Sequence, residues 1–447
     1  NQVPKVADVN KSGNPEKKVN TLACPDLIKI IPDHYESIKP KLLVKEGDRV
    51  RIGDKLFLDK NNPSVLFCSH VSGVIKSIKL GNRRKIEEIE ITCENNDSSI
   101  SKPELDIDKS SVEDIKKILL ESGLWPSIRQ RPFSKVPNLD SLPKSIFISM
   151  KPTDPLALDQ LSILEHNSVG FLEGIDAISN LTDGDINVVL DVNQDASMLE
   201  SLDKVKVHHF SGPHPSGNVG IHIHYIDPIS SKDDLVWYLS VQDVCKIGRL
   251  FTDGIINTTK VISMGGPSCK KPAYLEFYNG TSISHINDEL ELDINESCVL
   301  ISGSVLSGQY IDLENPLCFY DESLSMLKND KERYFLGWLL PGFNTFTLTN
   351  TFISRLFNSN NRINHNMKNG SNRAIVPIGL WEKVLPMDIL PNFLIRSILA
   401  ADIEDMEKLG IYECAAEDFA LCSLICQSKV EVSQIIQEGL DLMYEEG

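Results

Sequence analysis

Five histidines fall within 17 positions of one another: His208, His209, His214, His222 and His224. Imidazoles ligate metals and relay protons near neutral pH, so a cluster of them is the first chemistry to weigh. If 221–225 forms a strand, His222 and His224 point to the same face. No carboxylate or thiol completes a known ligand spacing beside them, so a metal site is not expected. Their plainer use is to hydrogen-bond loop carbonyls and hold the turn SGPHPSGNVG at 211–220. That loop follows an expected strand, where an α/β sheet places its ligand. Its glycines do not follow the dinucleotide pattern, however, and Pro213 and Pro215 remove amide donors.

A second stretch, LWPSIRQRPFSKVP at 124–137, interleaves Trp125 and Phe133 with Arg129, Arg131 and Lys135. Pro126, Pro132 and Pro137 hold it extended, which lowers the backbone entropy lost on binding. Such a strip suits a planar anionic or carbonyl-bearing ligand, or the anchoring of a partner subunit. It equally suits a loop that packs two domains together.

Other reactive groupings are weaker. There is no G-x-x-x-x-G-K-[ST], no H-E-x-x-H and no G-x-S-x-G. The ten cysteines are scattered, and Cys414, Cys422 and Cys426 are spaced eight and four apart, too loosely for a zinc knuckle or iron–sulfur cluster. They read as buried, reduced thiols.

The elements that must carry these residues change character along the chain. Residues 40–93 read as short strands with Gly-Asp turns at 47–48 and 53–54. In the last of them Ile89, Ile91 and Cys93 alternate with polar residues. The pattern V-x-x-G-D-x-V-x-x-G-D-x-L followed by H-V-S-G-V-I resembles the barrel-sandwich fold of biotinyl and lipoyl carriers. Lys60 falls near the hairpin tip that carriers modify, without the flanking residues a ligase reads. After an acidic linker at 94–106, Ser110 and Glu113 form an expected capping box, with Val112, Ile115 and Leu119 on one helix face. Strands at 145–150, 186–192 and 204–210 then alternate with helical stretches, one near 155–180 and one ending near Phe251, which argues a parallel α/β sheet. Short β segments return from Asn257, NTFTLTNTF at 344–352 is β-prone, and the chain is helical from Asp388.

With 45 Lys+Arg against 63 Asp+Glu, the chain of 447 residues has a formal net charge of −18. That balance argues against nucleic acid and against adsorption to anionic lipid. An apolar fraction of 41% with 24% charged residues is that of a globular protein of roughly three domains. The candidate apolar runs at 334–343 and 388–401 are interrupted by proline or charge, so no transmembrane helix is expected. The first twenty residues are polar, with no apolar h-region, so no signal peptide is expected among them.

Six ordered segments carry a resemblance: ESGLWPSIRQRPFSKVP, SGPHPSGNVGIHIHY, VWYLSVQDVCKIGRLF, LISGSVLSG, GSNRAIVPIG and ECAAEDFALCSLIC. Together they resemble the A subunit of the bacterial Na+-translocating NADH:quinone reductase, from about residue 7 to the end. The resemblance implies an α/β multidomain chain: a barrel-sandwich domain at 1–105, a Rossmann-like α/β domain at 106–256, a β-grasp-like domain at 257–330 and a mixed, then helical, domain at 331–447. It implies similarity to the flavin-binding subunit of complex I without that subunit's chemistry. It also implies a peripheral subunit on the cytoplasmic face of the inner membrane, with five partner subunits that hold the NADH site, FAD, FMN and iron–sulfur centres. Ubiquinone is the ligand it implies for this chain, with no cofactor of its own and no catalytic residue or metal. On that reading the contact falls on Trp125, Arg129, Arg131, Phe133 and Lys135. Trp125 and Phe133 would stack on the quinone ring, and Arg131 or Lys135 would meet a carbonyl. His214, His222 and His224 are secondary, as proton donors. The competing readings are a flavin- or NADH-binding electron-input subunit, which would purify yellow, and a carrier modified on Lys60.

Overall fold

The computed structural model of the chain describes residues 13–94, 110–166, 170–197, 199, 202, 204–329, 339, 341–342 and 371–447. The expected β segment at 344–352 lies outside them.

Short strands rich in Ile, Val and Phe build two small sheets at the start of the chain. One runs Leu27–Ile30, Ile86–Cys93, Gly73–Leu80, Arg49–Val50. The other runs Pro40–Leu42, Lys55–Asp59, Leu66–Cys68. Ile89 and Ile91 are fully buried, as the alternation requires, and Phe57 and Phe67 stack 4.5 Å apart in the same core. This is a barrel-sandwich packing, held by burial of the inward residues of both sheets. Lys60 is exposed on the hairpin after Lys55–Asp59, its backbone N–H bonded to the Lys39 carbonyl at 2.7 Å.

The strand Glu16–Thr21 does not join these sheets. It pairs in parallel with Ala273–Tyr278, at the edge of a six-stranded mixed sheet ordered Glu16–Thr21, Ala273–Tyr278, Thr259–Gly265, Ser323–Lys328, Cys298–Ser302, Gln309–Ile311. The helix Ile283–Leu290 packs Ile283 and Ile286 into that sheet's core.

Between these regions lies a five-stranded sheet ordered Val205–Phe210, Asp185–Asp191, Ser145–Ser149, Val236–Leu239, Arg129–Arg131. Its first four strands are parallel, and only the edge strand Arg129–Arg131 is antiparallel. The central strand is buried on both faces, as parallel sheets are. The stretch expected as one helix near 155–180 is two, Gln160–His166 and Phe171–Ser179. The second packs on Val241–Thr252, where Gly174 and Gly248 leave room for backbone contact. Among the described residues no helix is long and apolar enough to cross a membrane.

Two expectations are corrected here. The capping box is Ser111 with Asp114, not Ser110 with Glu113. Ser111 Oγ accepts the Asp114 N–H and Asp114 Oδ2 accepts the Ser111 N–H, each at 3.2 Å. Starting at Val112, the helix buries Ile115 and Leu119 but leaves Val112 at its exposed first turn. The segment 221–225 is not a strand but part of the helix Val219–Ile226. Asn218 opens it, its carbonyl accepting the N–H of Ile221 and His222. The helix is wedged between the sheet residues Phe147, Val189 and Phe210 and the C-terminal helices, so it is apolar on nearly every side. An all-round apolar helix this short has no polar face to reveal its period, and its Ile/His alternation imitates a strand.

Ser111→Ala is expected to lower the stability of the chain by about 1 kcal/mol, the usual cost of a lost N-cap. Ser110→Ala should cost less. Urea titration of both variants checks the assignment, and equal losses would contradict it.

Candidate functional site

The strip 124–137 begins with the helical turn Trp125–Ser127, which sinks Trp125 completely. Trp125 Nε1 donates to the Pro137 carbonyl at 2.9 Å and its ring meets Trp237 edge to face at 5.6 Å. Both ends of the strip are thereby tied to one buried side chain. Arg129–Arg131 then pairs with Val236–Leu239, placing Arg129 opposite Tyr238 and Arg131 opposite Val236. The Gln130 N–H bonds back to the Lys135 carbonyl at 2.7 Å, closing a tight loop. Within it Phe133 (φ 77°) and Ser134 (φ 54°) are left-handed, a conformation non-glycine residues seldom adopt. The neighbours of Phe133 must hold it there.

The strip as a whole is held by residues of the other regions of the fold. Arg129 donates to Glu36 Oε1 at 3.0 Å and lies over the Tyr320 ring at 4.4 Å and the Tyr238 ring at 5.2 Å. Glu36 belongs to the barrel-sandwich region and Tyr320 to the six-stranded region, whose hydroxyl also donates to the Pro126 carbonyl at 2.8 Å. Arg131, 1% exposed, donates to Glu417 Oε1 at 2.7 Å and faces Asp418 Oδ2 at 3.6 Å. Phe133 meets Tyr412 at 5.9 Å and Tyr444 at 5.4 Å. Lys135 Nζ lies 4.3 Å from the Tyr444 ring centre. Burial lowers the Lys135 pKa.

Asp418 is the least ordinary group at the site. Burial pushes its carboxyl up to about 7, against the pull of Arg131. Asn218 Nδ2 donates to Oδ1 at 3.2 Å, and Gly220 leaves the space that Oδ2 fills, since a Cβ there would come within 2.1 Å. Arg131 Nε and Tyr238 Oη are buried without a hydrogen-bond partner among the described residues.

The sequence-predicted residues therefore divide. Trp125 and Arg131 are interior: the ring of Trp125 has no face open to a ligand, and the guanidinium of Arg131 is committed to Glu417 and Asp418. Arg129 is mostly engaged, while Phe133 and Lys135 are half-buried at the outer edge of the strip. The histidines do not converge. On a helix, positions 222 and 224 point to opposite sides. His222 is fully buried, its Nε2 2.9 Å from the Ser216 carbonyl, and burial lowers its pKa to about 4. His224 Nδ1 lies 2.9 Å from Glu413 Oε2, a hydrogen bond that raises its pKa, while Nε2 accepts the Asp388 N–H at 3.1 Å. His214 Nδ1 lies 3.3 Å from Thr153 Oγ1. His208 Nε2 lies 2.9 Å from Asn187 Oδ1. Among the described residues no group of three His, Cys, Asp or Glu is placed to hold a metal. Cys414, Cys422 and Cys426 are buried, and burial raises the first two thiols.

The loop 211–218 sits on the carboxyl end of the strand Ser145–Ser149. Ser149 Oγ donates to the Gly217 carbonyl at 3.1 Å and the Gly217 N–H donates to Thr153 Oγ1 at 2.9 Å. A Cβ on Gly217 would lie 2.1 Å from the Lys151 carbonyl oxygen, so only glycine fits. The chain's own loop thus occupies a crevice where α/β sheets receive ligands.

Sequence reasoning missed Glu36, Tyr238, Tyr320, Glu417, Asp418 and Tyr444. One signal was readable: Glu417 and Asp418 interrupt the otherwise small and apolar run CAAEDFALC, and a buried acid needs a cation.

Three family profiles match in chain order: the NqrA N-terminal barrel-sandwich hybrid domain over residues 2–94, the NqrA second alpha/beta domain over 110–256 and the NQRA C-terminal domain over 261–312. The chain is 36% identical to the A subunit of the Na(+)-translocating NADH-quinone reductase of Histophilus somni (strain 2336), covering 100% of this chain and 99% of that one. It is 35% identical to the corresponding protein of Haemophilus influenzae (strain PittGG) over the same shares, and 35% identical to that of Pasteurella multocida (strain Pm70), covering 98% and 97%. One chain of the NAD+-reducing [NiFe]-hydrogenase overlays 50% of each chain with a TM-score of 0.35 at 12% identity, too low for a shared fold to follow.

Arg131→Met strands Asp418 without its cation and is expected to cost about 3 kcal/mol of stability. The loss should be larger at pH 8 than at pH 5, where Asp418 can take up a proton. In the unaltered chain the sign is the same. With a folded-state pKa of about 7 above the usual unfolded value near 4, the contribution of Asp418 is full below about pH 4 and is lost as pH rises through 7. Urea unfolding at both pH values measures this, and Asp418→Asn should remove the difference; an identical loss at both values would refute it.

Proposed function

The chain belongs to the NqrA family, the A subunits of the Na(+)-translocating NADH-quinone reductase, and on that premise we propose that it is a docking and positioning subunit of that complex. It sits peripherally on the cytoplasmic face of the bacterial inner membrane and has no redox cofactor of its own. NADH, FAD, FMN and the iron–sulfur centres belong to five partner subunits, and ubiquinone meets this chain from outside. Its part in NADH oxidation, quinone reduction and sodium export is to hold geometry rather than to carry electrons.

The observation that carries this reading is how the strip spends its cations. Arg129 and Arg131 are bound to carboxylates of two other regions and Tyr320 of a third bonds to Pro126, so the strip ties these three regions to its own sheet. The edge it leaves half-open presents the Phe133 ring with the Lys135 ammonium over it, 5.8 Å from the ring centre. A planar ring with a carbonyl matches that pair: stacking on Phe133, a hydrogen bond from Lys135. Arg129 and Arg131 act through the loop that holds Phe133, and His214, His222 and His224 hold the neighbouring loop and helix. We read the central sheet as Rossmann-like, since its parallel strands stand in the doubly wound order third, second, first, fourth. We read the six-stranded region as β-grasp-like and the whole as akin to the flavin-binding subunit of complex I. The loop seated over the sheet's carboxyl end favours a chain that no longer takes a nucleotide there.

Two measurements test the reading. The chain should co-purify with the membrane subunits from detergent-solubilised membranes; its absence from the purified complex would sink the docking role. Titration of a short-chain ubiquinone into the chain should show binding that Lys135→Ala weakens roughly five-fold, as loss of one hydrogen bond of about 1 kcal/mol. The melting temperature should barely change. Unaltered quinone affinity would reduce the strip to an internal tie.

A further inference from the structure

The C-terminal helical region carries apolar side chains that neither the strip nor the core uses. The helix Pro391–Leu399 turns Leu394, Ile395 and Ile398 inward, Ile398 against Gly439 of the helix Val432–Glu446. Its other side presents Leu390 (55% exposed), Phe393 (60%) and Leu399 to solvent. Beside it runs the segment 373–378, held by the Arg373 N–H on the Ser428 carbonyl and by Ser428 Oγ on the Ala374 carbonyl, each at 2.8 Å. That segment leaves Val376 62% exposed and Ile378 51%. Residues 373–381, residues 426–428 and Asn392 of the helix enclose a cavity of about 390 Å³, with Ile375, Leu380, Trp381 and Cys426 in its wall; Leu390, Phe393 and Leu399 lie outside it. Asn392, also in the wall, gives its amide to Glu382 at 2.6 Å, so a principal polar group there is already satisfied.

Two features select what fits. The site is concave, and a recess between two chain segments takes side chains of a polypeptide better than a flat lipid surface does. Among the described residues Arg373 is the charged group in its wall, the nearby Glu382 carboxylate being taken up by Asn392, and Arg396 is exposed one turn beyond on the same helix. In a chain with net charge −18, an acidic partner segment is repelled by most of the surface and drawn to this one, which fixes its register. Contiguous exposed apolar residues rimmed by polar ones mark interaction surfaces in general.

We propose that this groove receives an apolar segment, flanked by a carboxylate, from another subunit of the same complex. The apolar side chains of that segment fill the cavity beside Trp381, and its carboxylate pairs with Arg373. The proposal rests on the docking reading above and adds to it the face that docks.

Benzoylphenylalanine placed at Val376, in the complex purified from detergent-solubilised membranes, tests it. Irradiation should join the chain to a peptide of another subunit with Asp or Glu within a few residues of the crosslink. Arg373→Glu should cut that product at least ten-fold. The same probe at Tyr310, exposed on the edge strand Gln309–Ile311, should give none of it. A crosslink to lipid, to the chain's own residues or to nothing would overturn the groove's role while leaving the subunit in the complex. Absence of the chain from the complex before irradiation would overturn both readings. As a second measurement, Phe393→Asp should release the subunit from the complex in a salt wash that the unaltered one survives. Because Phe393 is mostly exposed, the melting temperature of the isolated chain should stay within a few degrees. Retention equal to that of the unaltered subunit would count against the proposal.

Discussion

A single guanidinium, that of Arg131, sets the terms for much of the surrounding structure. It is buried in an acidic chain, on the edge strand of a sheet, and it can stay charged there only if carboxylates come to it. Glu417 and Asp418 do so from the helical turn Ala416–Phe419, which docks the C-terminal helices on the sheet. Asp418 in turn needs Asn218 as a donor and Gly220 as a gap, which fixes where the helix Val219–Ile226 begins and how closely it lies. A buried ion pair of this kind adds little net stability over an apolar substitute but tolerates almost no other arrangement.

That coupling explains what could be read from the residues and what could not. The barrel-sandwich strands were legible because Ile89 and Ile91 alternate with polar neighbours on a sheet with one wet face. The strands near 145, 186 and 204 were legible for a different reason, as short apolar runs set between helical stretches, whereas the strand Val236–Leu239 was not singled out. The helix Val219–Ile226 was not legible, because it is covered on nearly all sides and its alternation of Ile and His answers to partners far away in the chain. The cap of the helix Val112–Glu121 was misplaced by one residue because two serines in succession, each followed three positions later by an acid, offer the same local signal. The strip at 124–137 was recognised as unusual, but its inward and outward residues could be told apart only once Tyr238, Tyr320 and the acids at 417–418 were in place.

The charge of the chain takes on two scales in this light. Overall it is strongly negative, yet its basic residues are not diluted evenly: Arg129 and Arg131 are consumed inside, while Arg373 and Arg396 remain beside apolar surface in the C-terminal region. An interface built that way gains specificity from contrast. A partner is discriminated less by the strength of any one pair than by the repulsion it meets everywhere else.

The parallel pairing of Glu16–Thr21 with Ala273–Tyr278 has a consequence for how the chain is made. Thr21 bonds to Glu276, a separation of 255 positions, so an early strand must wait for a late one. At a ribosomal rate of roughly 5–20 residues per second, that wait is on the order of ten to fifty seconds. The barrel-sandwich strands have their partners in hand long before then, and the central sheet is completed by Val236–Leu239 shortly before. The early strand is therefore a latch, joining the edge of the six-stranded sheet only when translation has passed Ala273–Tyr278. Its unpaired edge is a hydrogen-bonding liability that the growing chain carries for most of its synthesis.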